Sequence, residues 1–413
     1  MKSSSFGLKR FVASRFLGAL SDQFLLFVVP LAIFKSTGDV KYSGLAFVIE
    51  WLPRILFFPL AGFFVDRMKA RHLFFGVEFG RAVVLVIALA LIASGATTFI
   101  VLAVMMAVLS IAYVLNFVGT EAVLPRNLDA SELPKAHSML QGVDQITMVL
   151  GPALAAVVSI YGGLNPILMA GAGLFGLSSL LLLGLNTRPA EKTEQSFSLA
   201  AVTESNRTAF KVLMENKVLF HLSALTWVVN LIYGAALVVS ASVVLKVFAL
   251  PESHFGMLQV GAAITSLAAF AAVPGLAKKY GLSTLGVVCF CAMILSGLAL
   301  ALSGRFEMYV IAYSALMAFD GGFSVYIRTV RSQIIPREHM GKTTGLIGLM
   351  NMCSIPMSAA AVALLSAYFT PFGIFGMIFA LAAVLGMALV WFGRATFGYR
   401  TWLPSGPVAL TPG

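Results

Sequence analysis

The sequence predicts an all-α membrane protein with twelve transmembrane helices in two six-helix pseudo-repeat bundles. Of its 413 residues, 59% are hydrophobic and only 11% are charged. A soluble domain carries about a quarter charged residues. No soluble core of this length could cover so much apolar surface, so the bilayer must be the solvent for most of the chain.

Twelve apolar stretches are long enough to cross a bilayer. They cover residues 10–34, 42–65, 73–94, 98–121, 139–160, 164–185, 218–245, 255–277, 283–303, 308–329, 341–366 and 372–393. The longest polar stretch separates the sixth from the seventh. We therefore predict an N-terminal bundle over residues 1–185, a cytoplasmic linker over 186–217, a C-terminal bundle over 218–394 and a cytoplasmic tail over 395–413.

The two halves share landmarks at a constant offset, which indicates an internal repeat. Pro125-Arg126 follows the fourth stretch, and Pro336-Arg337 follows the tenth. A repeat of six spans is a known way to build a transporter with a central site between its halves.

The distribution of Lys and Arg predicts the orientation. Of the 28 basic residues, 21 fall in segments on the side of the N-terminus and three fall within apolar stretches; the four on the other side are Lys35, Lys41, Lys246 and Arg305. Both termini should therefore be cytoplasmic. The net charge of +11 is accordingly interpreted as a topology signal, and no nucleic-acid partner is expected.

Four charged residues are predicted near the bilayer midplane, where each is costly and invites a functional hypothesis: Asp22, Glu50, Arg54 and Asp320. Glu50 and Arg54 are one turn apart and can pair, either structurally or with one partner shared with substrate or proton. Asp22 and Asp320 have no cation within a helical turn, and such a carboxylate can bind and release protons. The alternatives are a packing hydrogen bond for Asp22 and close helix packing for Asp320.

A second set of charges is predicted near the cytoplasmic ends of the helices. These are Arg15, Glu78, Arg81, Glu121 and Asp144, with Asp66, Arg67 and Arg71 in the adjoining loop. Acidic and basic groups are balanced, which favours an ion-pair network. The alternative is ordinary interfacial snorkelling.

The loop after the second stretch resembles the signature of the major facilitator superfamily, in which a Gly is followed by Asp-Arg and a further basic residue. Gly62, Asp66, Arg67 and Arg71 match, and Lys69 stands where the signature prefers Gly. The resemblance implies the major facilitator fold and a cytoplasmic gate. The gate is expected to comprise Gly62, Asp66, Arg67, Arg71, Glu78, Arg81, Glu121, Arg126 and Asp144.

Two further resemblances concern the subfamily. Gly142, Gly151 and Pro152 in the fifth stretch are similar to a signature of proton-driven exporters, with Ala155 and Ala156 at its last two Gly positions. Residues in the first, second and fourth stretches resemble bacterial siderophore and macrolide-type drug exporters, namely Arg15-Phe16, Asp22, Leu52-Pro53, Pro59 and Glu121 to Pro125.

The first stretch is also similar to ferroportin-like iron exporters, through Ser21-Asp22-Gln23 and Phe27 to Pro30. No His falls at mid-membrane and the cysteines have no acidic neighbours, so the residues argue against a metal site. No phosphate-binding Gly-Lys-Ser/Thr loop, His-Glu-x-x-His motif or nucleophile elbow is present, which argues against ATP drive and against an enzyme.

These patterns predict a secondary active transporter of the bacterial inner membrane that exports a siderophore or drug-like molecule by proton antiport. The alternatives are a proton-coupled importer on the same fold, a ferroportin-like metal exporter, and an intramembrane enzyme or structural membrane protein. We expect a monomer without cofactor whose partners are a small-molecule substrate, protons and the lipid bilayer.

The basic-residue count makes the topology testable. Reporter fusions at Lys217 and at Gly413 should both behave as cytoplasmic. Alkaline phosphatase activity, which requires export, should stay at background for both fusions, while a fusion at Lys246 should be active. A periplasmic result at either cytoplasmic position would contradict the twelve-span arrangement.

Overall fold

The computed structural model describes residues 7–37, 40–159, 164–188 and 198–401. Within these ranges the chain is almost entirely helical and forms no strand, which confirms the all-α class. Twelve helices cover the twelve predicted stretches, and a thirteenth lies in the predicted linker. Their bounds are α1 Leu8–Thr37, α2 Val40–Arg67, α3 Ala70–Ala93, α4 Thr98–Asn127, α5 Leu133–Ser159, α6 Leu164–Leu183, α7 Leu199–Glu215, α8 Lys217–Ser242, α9 Glu252–Tyr280, α10 Leu282–Ala301, α11 Phe306–Ile334, α12 Met340–Leu365 and α13 Pro371–Thr401.

Ten helical segments in the described part of the chain are long and apolar enough to cross a membrane. The helices α2 and α5 cover two more predicted spans but are not among these ten. The side chains of residues 40–48, Glu50 and Ala156 in these two helices lie outside the described residues, as does the predicted Glu50–Arg54 pair.

The linker helix α7 was not predicted, because the stretch around it is polar. Its apolar residues recur at helical spacing on one face, where Val202, Ala209 and Leu213 are buried. Such an amphipathic stripe is typical of a helix that lies against other structure rather than one that spans a bilayer.

The chain divides into two compact units. Unit 1 comprises the residues up to Ala130, Val143–Ala209 and Pro336–Gly348. Its main helix contacts are α1 with α6, α3 with α6 and α2 with α4. Leu25, Leu102 and Phe175 lie in one of its apolar clusters.

Unit 1 also contains polar contacts between its helices. Ser14 and Ser178 share a hydrogen bond of 2.8 Å, and the Ser21 hydroxyl donates to the Gly171 carbonyl at 3.1 Å. Lipid tails do not drive helices together, so close packing and such hydrogen bonds stabilise the contacts.

Unit 2 comprises Ser131–Gly142, Phe210–Ile335 and the residues from Leu349 onward. Its main contacts are α10 with α11, α9 with α11 and α8 with α13. Glycines allow close approach here: a Cβ on Gly297 would overlap the Phe379 ring. The first part of α5 belongs to this unit, where Gln141 donates to the Ser324 hydroxyl at 2.9 Å.

The units follow the predicted halves except at two short segments. Residues 131–142 belong to unit 2 and residues 336–348 to unit 1, and the division near the linker falls within α7. The division into four segments drawn from the sequence stays a prediction. What matters for the site is that the first turns of α12 lie in unit 1 with α2 and α4.

Candidate functional site

The carboxylate of Asp66, at the end of α2, binds the beginning of α12. One oxygen accepts a hydrogen bond from the Gly341 amide at 2.7 Å, and the other accepts from the Lys342 amide at 2.8 Å. The first amides of a helix have no partner within the helix and carry partial positive charge. Asp66 therefore caps α12 from a different helix.

Arg126, near the end of α4, completes this contact. Its guanidinium lies 2.8 Å from Asp66 and also donates to the carbonyl of Arg337 at 3.2 Å. Asp66 is 7% exposed. Burial raises the pKa of its carboxyl group, and Arg126 and the two α12 amides act against that rise. Three charge-assisted hydrogen bonds on one buried carboxylate favour its ionised form.

Glycines bring the backbones of α2 and α12 into direct contact. A Cβ on Gly62 would lie 2.5 Å from the Cα of Lys342, and one on Gly345 would lie 2.7 Å from the Phe58 carbonyl oxygen. Gly62 and Asp66 are four residues apart and so share a helix face. We call Gly62, Asp66, Arg126, Gly341 and Lys342 the Asp66 cluster.

The Asp66 cluster contains three of the residues that the family resemblance assigned to a gate: Gly62, Asp66 and Arg126. Arg67 lies over the Phe63 ring at 3.5 Å and donates to the Phe63 carbonyl. Arg71 is exposed on α3. The structure also shows Glu121 buried on α4 and Asp144 exposed on α5.

A second charged cluster is buried within unit 1, around Arg81 of α3. One guanidinium nitrogen pairs with Asp22 of α1, and the other lies 3.5 Å from Glu78. The Asn116 amide donates to the same Glu78 oxygen at 2.6 Å, and Arg15 lies 3.7 Å from it. We call these five residues, Arg15, Asp22, Glu78, Arg81 and Asn116, the Arg81 cluster.

The Arg81 cluster corrects one expectation and bears on another. Asp22 was predicted to be an unpaired carboxylate, and this is wrong because it is ion-paired with Arg81. Glu78 and Arg81 were expected in the cytoplasmic gate. Arg81 pairs with Asp22 and lies 3.5 Å from Glu78, and a gating role of these two residues stays a prediction. The helix α3 begins at Ala70, three residues before the predicted span. Arg81 is therefore at the middle of its helix.

The surroundings of Arg81 account for its burial. Its side chain is 1% exposed, and its guanidinium lies 4.1 Å from the centre of the Phe175 ring. A charge in this position is tolerated only when it is paired and hydrogen-bonded. Gly18 provides the space for Glu78, since a Cβ there would lie 3.0 Å from a Glu78 oxygen.

Arg54 occupies an aromatic site between α2 and α4. Its guanidinium lies 4.3 Å from the centre of the Tyr113 ring and 4.9 Å from that of Trp51. Arg54 thus lies against aromatic rings of two helices of unit 1.

The fourth predicted midplane residue, Asp320, lies on α11 in unit 2. It is partly buried, and Gly321 and Gly322 beside it pack against Phe270 and Cys289. Close packing of α11, which the sequence allowed as the alternative reason for these glycines, is therefore present. A role of Asp320 in proton transfer stays a prediction.

The fifth-stretch motif has one position of close contact. A Cβ on Gly151 would overlap Gln23, which follows Asp22 on α1, whereas Gly142 has open space around it. Pro152 lies inside α5. Gly151 thus brings α5 against α1 next to the Arg81 cluster.

Sequence reasoning missed Asn116, Gly341 and Lys342. Asn116 could have been predicted from the sequence, because a polar amide within an apolar stretch needs a hydrogen-bond partner. Gly341 and Lys342 could not have been predicted in this way, because they bind Asp66 through backbone amides, which do not depend on the side chain. Among the described residues, no group of three or more His, Cys, Asp or Glu comes together to hold a metal ion.

Comparison with known proteins identifies the class. The profile of the Major Facilitator Superfamily matches residues 11–352, so the chain belongs to this family. The membership indicates a transporter rather than an enzyme. No curated protein matches the sequence significantly.

Solved structures share the fold over nearly the whole chain. A bacterial homologue of the iron transporter ferroportin, in an outward-facing state, has a TM-score of 0.75 at 19% identity and covers 94% of this chain and 99% of its own. The human organic anion transporter MFSD10 (TETRAN) has a TM-score of 0.76 at 12% identity, with coverages of 93% and 99%. The E. coli fucose:proton symporter FucP has a TM-score of 0.74 at 10% identity, with coverages of 94% and 99%.

Removal of the Asp66 carboxylate should expose the first amides of α12. In Asp66→Ala, hydrogen exchange of a peptide that contains Gly341 and Lys342 should accelerate about tenfold or more, because each amide loses a hydrogen bond to a charged group. Exchange in the exposed-loop variant Asp129→Ala should match the wild type. Unchanged exchange in Asp66→Ala would show that α12 is capped in another way.

The Arg81 cluster predicts an order of stability among charge variants. Arg81→Gln leaves buried carboxylates uncompensated and should destabilise by about 3–5 kcal/mol. Asp22→Asn should destabilise less, because Arg81 keeps Glu78. The double variant Asp22→Asn/Arg81→Gln should recover part of the stability that Arg81→Gln loses. Arg71→Gln, at an exposed position, should change the free energy of unfolding by no more than about 0.5 kcal/mol. Thermal unfolding in detergent measures this order. An Arg81→Gln variant with the stability of the wild type would contradict it.

Proposed function

We propose that the protein is a secondary active transporter that exports a small organic molecule across a bacterial inner membrane by proton antiport. The observation that carries the proposal is the Asp22–Arg81 ion pair buried in unit 1. In this pair, the Asp22 carboxylate can take up a proton and release its ion-pair partner Arg81.

The exposure of the two partners favours Asp22 as the proton acceptor. The Asp22 side chain is 17% exposed and that of Arg81 is 1% exposed. A proton that reaches Asp22 cancels its charge, and Arg81 keeps its pairing with Glu78. Protonation therefore breaks a contact between α1 and α3 without leaving the guanidinium unpaired.

The Asp66 cluster supports an alternating-access mechanism. Opening of the cytoplasmic side requires that the end of α2 and the beginning of α12 separate. That movement breaks the hydrogen bonds of Asp66 to Gly341 and Lys342. The intact cluster therefore stabilises a state closed at this end, and a ligand shifts the equilibrium only by preferring one state.

Export is favoured over import by the fifth-stretch motif. Gly151 packs against Gln23, so the part of α5 that resembles proton-driven exporters contacts α1 beside Asp22. The residues that resemble siderophore and macrolide exporters support that substrate class. An importer and a ferroportin-like metal exporter remain the alternatives on the same fold.

Everted membrane vesicles test the direction and the coupling together. Respiring everted vesicles become acidic inside, and an internal pH-sensitive dye reports proton loss. Addition of a macrolide or a catecholate siderophore should raise the internal pH and load the compound. If a compound accumulates only in right-side-out vesicles, and protons enter these vesicles together with it, the protein is an importer instead.

Asp22→Asn should abolish accumulation driven by the pH gradient, because an amide cannot take up the proton. Downhill exchange of the same compound should continue, and the loop variant Asp129→Asn should behave as wild type. Uphill accumulation that persists in Asp22→Asn but is lost in Glu50→Gln would place proton coupling at Glu50.

A further inference from the structure

A groove of about 410 Å³ runs between α2, α3 and α4 in unit 1. Its floor includes Gly76 and Gly80, beside which no heavy atom lies within 4 Å of an added Cβ. Apolar side chains such as Phe64 and Val108 form its walls, and His72 lies at one end. Glycines four residues apart usually mark a helix-packing face, and here that face is open.

The groove has the length of one bilayer leaflet. Along α3 it extends from His72 to Val84, which corresponds to about 18 Å at 1.5 Å per residue. Half of a hydrocarbon core of about 30 Å is about 15 Å. An acyl chain that lies along the glycine face would therefore fit the groove lengthwise.

The mouth of the groove is basic. Lys69, Arg71 and His72 are exposed where α3 begins, and no acidic residue occurs from residue 67 to residue 77. The two carboxylates that flank this stretch in sequence are engaged elsewhere, Asp66 with Arg126 and Glu78 with Arg81.

The N-terminus of α3 adds to this positive charge. Its first turn contains no acidic residue, and Lys69 at the N-cap position makes no side-chain capping hydrogen bond. Cations at a helix N-terminus oppose the helix dipole, whereas an anion there binds the unpaired amides favourably. The first amides of α3 and the basic side chains beside them would therefore both bind an anion.

We propose that this groove and its mouth bind one anionic phospholipid. An acyl chain lies against Gly76 and Gly80, and the phosphate lies at Lys69, Arg71 and the first amides of α3. The apolar groove that continues from the mouth favours a lipid over a soluble anion. The absence of acidic residues from 67 to 77 favours an anionic headgroup over a zwitterionic one, because this stretch offers no carboxylate to a choline or ammonium group.

Native mass spectrometry of the full-length protein tests the proposal. The protein is released from detergent that contains equal amounts of phosphatidylglycerol and phosphatidylcholine, and the bound lipids are counted. The wild type should retain one phosphatidylglycerol at least about tenfold more often than phosphatidylcholine, as expected for two basic side chains at a headgroup. High salt should reduce this preference.

Two variants separate the groove from the mouth. The double substitution G76L/G80L fills the groove and keeps the charge, and K69Q/R71Q removes the charge and keeps the groove. Each should lose the preference. The controls G173L/G176L, at glycines of α6 that also face open space, and K278Q/K279Q, at exposed lysines of α9, should retain it.

Three results would overturn the proposal. They are equal retention of the two lipids by the wild type, an unchanged preference in G76L/G80L, and displacement of the lipid by excess inorganic phosphate, which would indicate a soluble-anion site. Gel filtration checks that each variant is monodisperse. If a site variant aggregates, the wild-type lipid and salt comparisons still decide the outcome.

Discussion

The compensation of buried charge by other helices is the constraint on which unit 1 depends. A guanidinium that is almost fully covered, on a helix otherwise rich in Leu, Val and Phe, can exist only if carboxylates surround it. Arg81 obtains Asp22 from α1 and Glu78 from its own helix. The guanidinium also lies over the Phe175 ring of α6, and Glu78 accepts a hydrogen bond from Asn116 of α4. The Arg81 cluster thus links four helices.

The Asp66 cluster adds two backbone amides of α12 to the Asp66–Arg126 ion pair. Glycines at 62, 341 and 345 remove the side chains that would keep α2 and α12 apart. Asp66 can therefore reach amides that belong to the first turn of α12. Such a contact is specific in geometry but involves a few hydrogen bonds only. In the proposed alternating-access cycle, these few hydrogen bonds would break and form again as the state changes.

Hydrophobicity and charge counts were enough to predict the fold. Uninterrupted apolar stretches located all twelve corresponding helices, because in lipid the backbone must satisfy its hydrogen bonds within the segment. The linker helix α7 was not predicted, because its short amphipathic pattern lies in a polar stretch. Local spacing also failed for Asp22. Its partner Arg81 is 59 residues away, and a search within one helical turn cannot detect a contact between helices.

The permanent charge of Arg81 has an electrical consequence. An arginine side chain does not lose its proton in a protein, so only the carboxylates of its cluster can change charge during a cycle. In the proposed antiport, a proton carried by Asp22 in exchange for a neutral molecule would move one net charge across the bilayer. Each such charge is worth about 2.3 kcal/mol per 100 mV. The membrane potential would then drive export even where the two sides have the same pH.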